Sequence, residues 1–417
     1  MRKINAIKSF AKSHYYAFCL FAFFIIYVAI VPGECKPWVV NDVTYSFYAV
    51  DFSLGFCSRI IQGALHNLIF GSISYVTATI YLICIFVVTV AILCFLAEKL
   101  LLSIYPKYRK TAIIILLFFI TGPATFAIFL KTFGIIDFFW VFSTALFLLT
   151  LQKKQLYFLA IPIFVFMVFV YYAALICYVP LLAIILLYKL STTTDKKEKR
   201  YLTIVFFVAC ALAIAFSVYF VAFERSNLNY TMEEFDNILI SRGVDEGNLY
   251  YYNYSYYRHL DNFEENTGNE LFNVTDTNSP FAVPLVLLQQ IIVTLKLIDF
   301  SHVTLIVLLL ISPILVFIYR ILIGEFKATK DNKLKKFTLL CTLVLFPFIL
   351  LAGFCLSTDV VRWISNAFTC LLFAFAYILY KERDHLAEKV HTQLAGKTAL
   401  LIPYFIVYSL TTYLPDL

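Results

Sequence analysis

ISYVTATIYLICIFVVTVAILCFL, residues 73–96, runs for 24 residues without a charged side chain. At ~1.5 Å per residue, a helix of that length reaches across a hydrocarbon layer of ~30 Å. A helix also satisfies its own backbone hydrogen bonds, which lipid cannot do. Similar runs recur from end to end of the 417 residues, of which 62% are hydrophobic and 14% charged. An ordinary globular domain carries about a quarter charged residues. The chain therefore reads as an all-α polytopic membrane protein. Its 44 Phe and 29 Tyr suit lipid-facing and interfacial positions.

Outward from that run, the N-terminal neighbour is DFSLGFCSRIIQGALHNLIFG, Asp51 to Gly71. Read as a helix, it sets Asp51, Gly55, Arg59 and Gly63 at successive i, i+4 positions. The expectation is an interfacial helix with a charged stripe and a greasy face. The C-terminal neighbour is basic, with Lys99, Lys107, Arg109 and Lys110. Positive residues mark the cytoplasmic side, so the charged stripe should lie outside.

The same rule carries the topology along the chain. Arg2, Lys3, Lys8 and Lys12 place the N-terminus in the cytoplasm. The apolar run from Tyr16 is read as a retained first span, because its end, VPGEC, lacks a clean cleavage site. Gly122-Pro123 should kink the third span. Leu156 to Leu190 is too long for one span and is divided near Tyr171-Tyr172. The segment from Glu224 to Val283 holds eleven acids and three arginines, and it is expected as a large outer loop. Pro284 to Phe300 reads as a second interfacial helix, since another crossing would break the charge bias.

The count is about eleven transmembrane helices, with the N-terminus cytoplasmic and the C-terminus outside. Three regions result: an N-terminal bundle (1–223) with the segment 51–71, an acidic Tyr-rich loop with its interfacial helix (224–300), and a C-terminal bundle (301–417). The net charge of +7 follows from the cytoplasmic lysines and is no nucleic-acid signal. Eight of the ten cysteines fall in apolar spans. Cys35 and Cys57 share the first outer loop, where an oxidising compartment would let them pair.

On this topology Asp51, Arg59, His66, Lys131, Asp137, Asp359 and Arg362 gather at one side, near membrane ends. Ionisable groups there are functional candidates. Asp359, Arg362 and Trp363 are spaced to share a helix face. Arginine suits bidentate phosphate contacts, and a carboxylate can take a proton from a sugar hydroxyl. YYYNYSYYRHL, Tyr250 to Leu260, offers tyrosines for stacking on sugar rings and one central basic pair, Arg258-His259. Sequons stand at Asn229, Asn253 and Asn273. A structural reading stands beside each: Asp359 pairing with Arg362, Asp51 pairing with Arg59, His66 as a solvated interfacial histidine, Lys131 as a snorkelling anchor. No Walker A, G-x-S-x-G, H-E-x-x-H or G-x-G-x-x-G sequence occurs.

With an acid after the first span, a second acid after the third, many spans, a late outer loop and outer arginines, the chain resembles bacterial polytopic proteins of surface-glycan assembly. Both GT-C-type glycosyltransferases and O-antigen-polymerase-like proteins fit. The motifs are DFSLGFCSR and STDVVRW. The first outer loop is short for a GT-C enzyme, the usual adjacent acidic pair is absent, and the large loop has no Arg-rich motif.

The resemblance implies a glycosyltransferase of the cytoplasmic membrane acting on its outer face. The donor would be a polyprenyl-phosphate-linked sugar, delivered from membrane lipid to a glycan acceptor. Asp51, or else Asp137, would be catalytic. Arg59, Arg362, Asp359, Trp363, His66, Arg258 and His259 would bind substrate. No cofactor and no metal ligand is assigned, and a divalent metal is left open. The alternatives are a repeat-unit polymerase, and a transporter or flippase for a lipid-linked or small polar substrate.

Overall fold

The computed structural model describes residues 13–30, 38, 40–104, 106–122, 128–129, 133–223, 230–249, 302–356, 360–395 and 397–410. Among these it is helical, with no β-strand. The first helices are α1 (Tyr15–Ile30), α2 (Asp42–Tyr48), α3 (Ile61–Phe70), α4 (Tyr75–Ser103) and α5 (Arg109–Ile120). Then come α6 (Ile136–Thr150), α7 (Ala160–Val170), α8 (Tyr178–Thr192), α9 (Lys196–Phe223) and α10 (Met232–Ser241). The last are α11 (His302–Ala328), α12 (Lys333–Leu356), α13 (Val360–Lys381), α14 (Arg383–Leu394) and α15 (Thr398–Leu410).

Among the described residues, six segments are long and apolar enough to cross a bilayer: α4, 172–192, α9, 304–328, 333–353 and α13. The other expected spans coincide with shorter helices: α1, α5, α6, α7 and α15. The apolar run 73–96 is the heart of α4. Its start is fixed by a capping box, in which Ser74 accepts from the Thr77 amide and Thr77 Oγ1 accepts from the Ser74 amide. Its end carries Glu98 and Lys99 past the apolar stretch, and Pro106 stops any continuation.

The long run 156–190 breaks where the sequence suggests. Tyr171 is extended (φ −172°, ψ 131°) between α7 and the short 3-10 turn Tyr172–Leu175. α5 ends at Ile120, just before Gly122, and Pro123 lies outside the described residues. Gly122 lies against the Tyr408 ring of α15, where a Cβ would not fit.

The segment 51–71 departs from its expected form. Residues 51–60 are turns, and the helix begins only at Ile61. The cause is local. Asp51 Oδ1 accepts from the amide of Ser53 (3.0 Å) and its hydroxyl (2.5 Å), a turn that competes with helix. Gly55 (φ 151°) and Arg59 (φ 68°) have positive φ. Asp51, Gly55 and Arg59 therefore form no helical stripe. Gly63 is conformationally ordinary but packed: a Cβ there would strike the carbonyl oxygens of Val50 and Tyr48.

One core runs from Leu20 and Phe24 in α1 to Tyr408 in α15, so residues of both bundles share it. Charges from the basic loops meet at one end. There Lys154 pairs with Glu198 (2.5 Å), Lys335 with Glu382 (2.8 Å) and Glu325 (3.0 Å), and His14 with Glu98 (2.7 Å). The loop 51–60 lies at the opposite end, beside the last residues of α7. Lys131, Asn229, Asn253, Arg258, His259, Asn273, Pro284 to Phe300, Asp359 and Cys35 lie outside the described residues.

Candidate functional site

A buried polar layer joins α6, α8 and α13. Gly134 (φ 78°) turns the chain into α6, which places Asp137 in the first helical turn. Arg362 and Asn366 stand one turn apart at the start of α13. Arg362 Nε donates to Asp137 Oδ2 (2.5 Å), and Asn366 Nδ2 donates to Oδ1 (2.9 Å). Asn366 Nδ2 also reaches the Arg362 carbonyl (3.0 Å), and Tyr178 Oη of α8 donates to Asn366 Oδ1 (2.9 Å). Asp137 is 1% exposed, whereas the Arg362 side chain is 28% exposed. The buried carboxylate fixes the guanidinium, while the arginine side chain as a whole stays partly exposed.

Aromatic rings connect this layer to Arg59. Trp140, one turn beyond Asp137, donates Nε1–H to the Met167 carbonyl (3.1 Å). Its ring lies 5.4 Å from Tyr178 and stacks at 6.4 Å and 11° on Tyr171. The Arg59 guanidinium sits 4.0 Å above the Tyr171 ring. The Arg59 amide donates to the Phe169 carbonyl (2.9 Å), which ties the loop to the end of α7. Arg59 is the one non-glycine residue with positive φ among the described residues. The left-handed conformation costs a residue with a Cβ ~1–2 kcal/mol, so the fold holds this arginine in place at some expense. The extended break at Tyr171 gives Arg59 its platform. Arg59 and Arg362 are thus joined through Tyr171, Trp140 and the Asp137 turn.

Asp51 belongs to a neighbouring cluster. Its Oδ2 accepts from Asn67 Nδ2 (2.9 Å), and Arg242 Nη1 lies 3.4 Å from Oδ1. Arg242 ends α10, donating Nη1–H to the Ala49 carbonyl (2.6 Å) and Nη2–H to Ser53 Oγ (3.0 Å). Burial pushes the Asp51 pKa up, but the Ser53 and Asn67 hydrogen bonds and the Arg242 charge outweigh it and hold it below the ordinary value. Asp51 therefore pairs with Arg242 and not with Arg59. Beside it Tyr45 stacks on Tyr75 at 3.8 Å and donates to the Arg242 carbonyl (2.6 Å).

Two other expected site residues take different positions. His66 is fully buried rather than solvated, packed against the rings of Tyr48, Phe70 and Tyr81. Burial also holds its imidazole pKa below the ordinary value. Trp363 does not share the Arg362 face. Adjacent helix positions point ~100° apart, and the Trp363 ring fills the space over Gly353 of α12.

Arg242, Asn366, Tyr178 and Trp140 went unnoticed in the sequence, and Tyr171 stood out only as a break between spans. Asn366 at i+4 from Arg362 and Trp140 at i+3 from Asp137 were legible as helix-face neighbours. The pairing of Arg242 with Asp51 had no local signal, since the two are distant in sequence.

At the basic end, Glu325, Glu382 and His385 present ligand atoms within 4.8 Å of one another, a group that could hold a metal ion. Lys335 Nζ already bridges the two glutamates, and His385 Nε2 lies 2.7 Å from Glu325 Oε2. An ion there would have to displace the ammonium group. No protein-family model, curated protein or solved structure matches the chain.

Proposed function

We propose that the protein is a membrane glycosyltransferase of cell-surface polysaccharide assembly, using a polyprenyl-phosphate-linked sugar on the outer face of a bacterial cytoplasmic membrane. The observation that carries this reading is the connection of Arg59 and Arg362 through one aromatic and carboxylate array. Two guanidinium groups suit a phosphate or diphosphate. The Tyr171 and Trp140 rings between them are packed on one another and on Arg59, and they hold that guanidinium in place. The basic residues at the opposite end support the orientation, with Arg59, Asp137 and Arg362 outside.

In this proposal the lipid phosphate enters from the bilayer and binds Arg59 and Arg362. Charge builds on the phosphate as the glycosidic bond breaks, and the two arginines stabilise it. Asp137 acts as a positioning residue, because both of its oxygens are occupied by Arg362 and Asn366. Asp51, whose oxygens are engaged by Ser53, Arg242 and Asn67, accepts from the incoming hydroxyl by giving up its single Asn67 hydrogen bond on Oδ2. Its depressed pKa keeps it ionised at neutral pH, and it takes up a proton only late in transfer. A catalytic metal is not required by this arrangement of charges.

The test is a strain lacking the gene, complemented with the wild type or with Arg362→Ala at equal membrane abundance. Its lipid-linked saccharides are then extracted and sized. The variant strain should accumulate a repeat unit lacking one sugar. Accumulation of complete repeat units would assign a polymerase instead. A wild-type profile in the variant would reject both.

A further inference from the structure

A second feature begins one helical turn past the polar layer around Asp137, at Val141 and Phe368. On α6, Asp137 is followed at helical spacing by Val141 and Leu148, with Gln152 just past the end of the helix. On α13, Arg362 and Asn366 are followed by Thr369, Phe373, Ala376 and Tyr380. Below the polar layer these two stripes line a partly open cavity of about 250 Å³. α1 and α4 complete its wall with Leu20, Phe24, Val90 and Ala97, and Tyr408 reaches in from α15. An apolar cavity of ~150 Å³ stays dry and takes up a benzene-sized ligand. This one is larger and lies within the bilayer-crossing helices, where the medium is hydrocarbon.

Its polar groups gather at the basic end. Lys99 Nζ donates to Gln152 Oε1 (3.3 Å), both on the lining. Lys381 lies 5.7 Å from the Tyr377 ring and 5.5 Å from the Tyr380 ring, both also on the lining. The Tyr377 hydroxyl is buried and makes no hydrogen bond, on a residue 6% exposed. That hydroxyl is closed off from the cavity, and Lys381 is not on its lining. The cavity therefore has an apolar body, with one cation, Lys99, and the Gln152 amide on its lining at one end.

We propose that this cavity binds one anionic phospholipid of the basic-side leaflet. One acyl chain fills the space between α6 and α13, and the phosphate and glycerol oxygens lie near Lys99 and Gln152. The site is at the opposite end from Arg59 and stands whether or not the transferase reading holds. Its charge selects anionic over zwitterionic headgroups. A chain in the cavity would brace α6 against α13 and so steady the Asp137 layer above it.

The test is native mass spectrometry of the full-length protein in mild detergent, delipidated and then titrated with phosphatidylglycerol or phosphatidylcholine. The wild type should bind one phosphatidylglycerol at least tenfold more tightly than phosphatidylcholine. Leu372→Trp, which fills the cavity, should weaken binding at least tenfold, while Leu372→Met should retain it. Lys99→Gln should bring the two lipids to similar affinity. Arg59→Gly, at the far end and expected to keep wild-type stability, should leave lipid binding unchanged, which separates this site from the transferase site. Equal affinity of the wild type for both lipids would overturn the proposal, as would undiminished binding by a folded Leu372→Trp. Since the first comparison uses the unaltered protein, a misfolded variant cannot rescue the idea.

Discussion

Asp137 and Arg362 can be separated into a structural and a functional contribution by a double-mutant cycle. Removing one member of a buried pair leaves the other uncompensated, at a cost of about 3–5 kcal/mol. Arg362 keeps 28% of its side-chain surface, so solvent takes up part of that penalty. Arg362→Met strands the 1% exposed Asp137 carboxylate with Asn366 alone, and about 3 kcal/mol is expected. Asp137→Asn keeps the shape and loses the charge, for about 2 kcal/mol. In the double variant no buried charge is stranded. Asn366 still receives Tyr178 and still donates to the residue-362 carbonyl. Its loss should be only about 2 kcal/mol, a coupling of about 3 kcal/mol. Unfolding in mixed micelles of rising denaturing-detergent content reads the three values. The double variant should be nearly as stable as Asp137→Asn, yet fail to restore surface glycan. Additive losses would refute the energetic link. A stable double variant with full glycan would show that the pair only holds helices together.

Other outcomes follow from the same geometry. Arg59→Gly relieves the positive φ, gaining ~1 kcal/mol, and loses the Tyr171 contact at a similar ~0.5–2 kcal/mol. Its thermal midpoint should stay near that of the wild type while glycan output falls on the order of a hundredfold; a large stability loss would make Arg59 structural. Asp51 has a folded pKa below its unfolded value, so its contribution is present above the unfolded value of ~3.9 and lost as pH falls through the folded one. Thermal midpoints measured from pH 7 down to 3 should therefore drop more steeply for the wild type than for Asp51→Asn. Gly63→Ala forces a methyl group onto the Val50 and Tyr48 carbonyls, and a loss of ~1–3 kcal/mol or more should appear as a lowered midpoint and reduced membrane abundance.

Much of the architecture was legible because lipid imposes a length and a composition on each span. The division at Tyr171-Tyr172 came from run length alone, and the chain breaks there. The segment 51–71 misled because i, i+4 spacing says nothing about whether a helix forms. Asp51 and Gly55 favour turns, and the carboxylate found a closer donor in Ser53 than any helical neighbour. At the site, Asp137 and Arg362 were each legible as charges at span ends. Their contact joins residues 225 positions apart, a separation that no local pattern encodes. His66 shows the converse, since a histidine amid polar and apolar residues does not reveal which way its helix faces. The aromatic bridge was hidden for another reason: with 44 Phe and 29 Tyr, one more ring in an apolar run carries no signal.

The central claim, that Arg59 and Arg362 serve one phosphate, is tested most directly by binding of a polyprenyl phosphate to the purified full-length protein. Wild type, Arg59→Gly, Arg362→Met and the double variant are to be compared by thermophoresis in the same detergent. If both guanidinium groups hold one phosphate, each single variant should lose tenfold or more in affinity. The double variant should then show no saturable binding. Wild-type affinity in either single variant, at unchanged stability, would contradict the account.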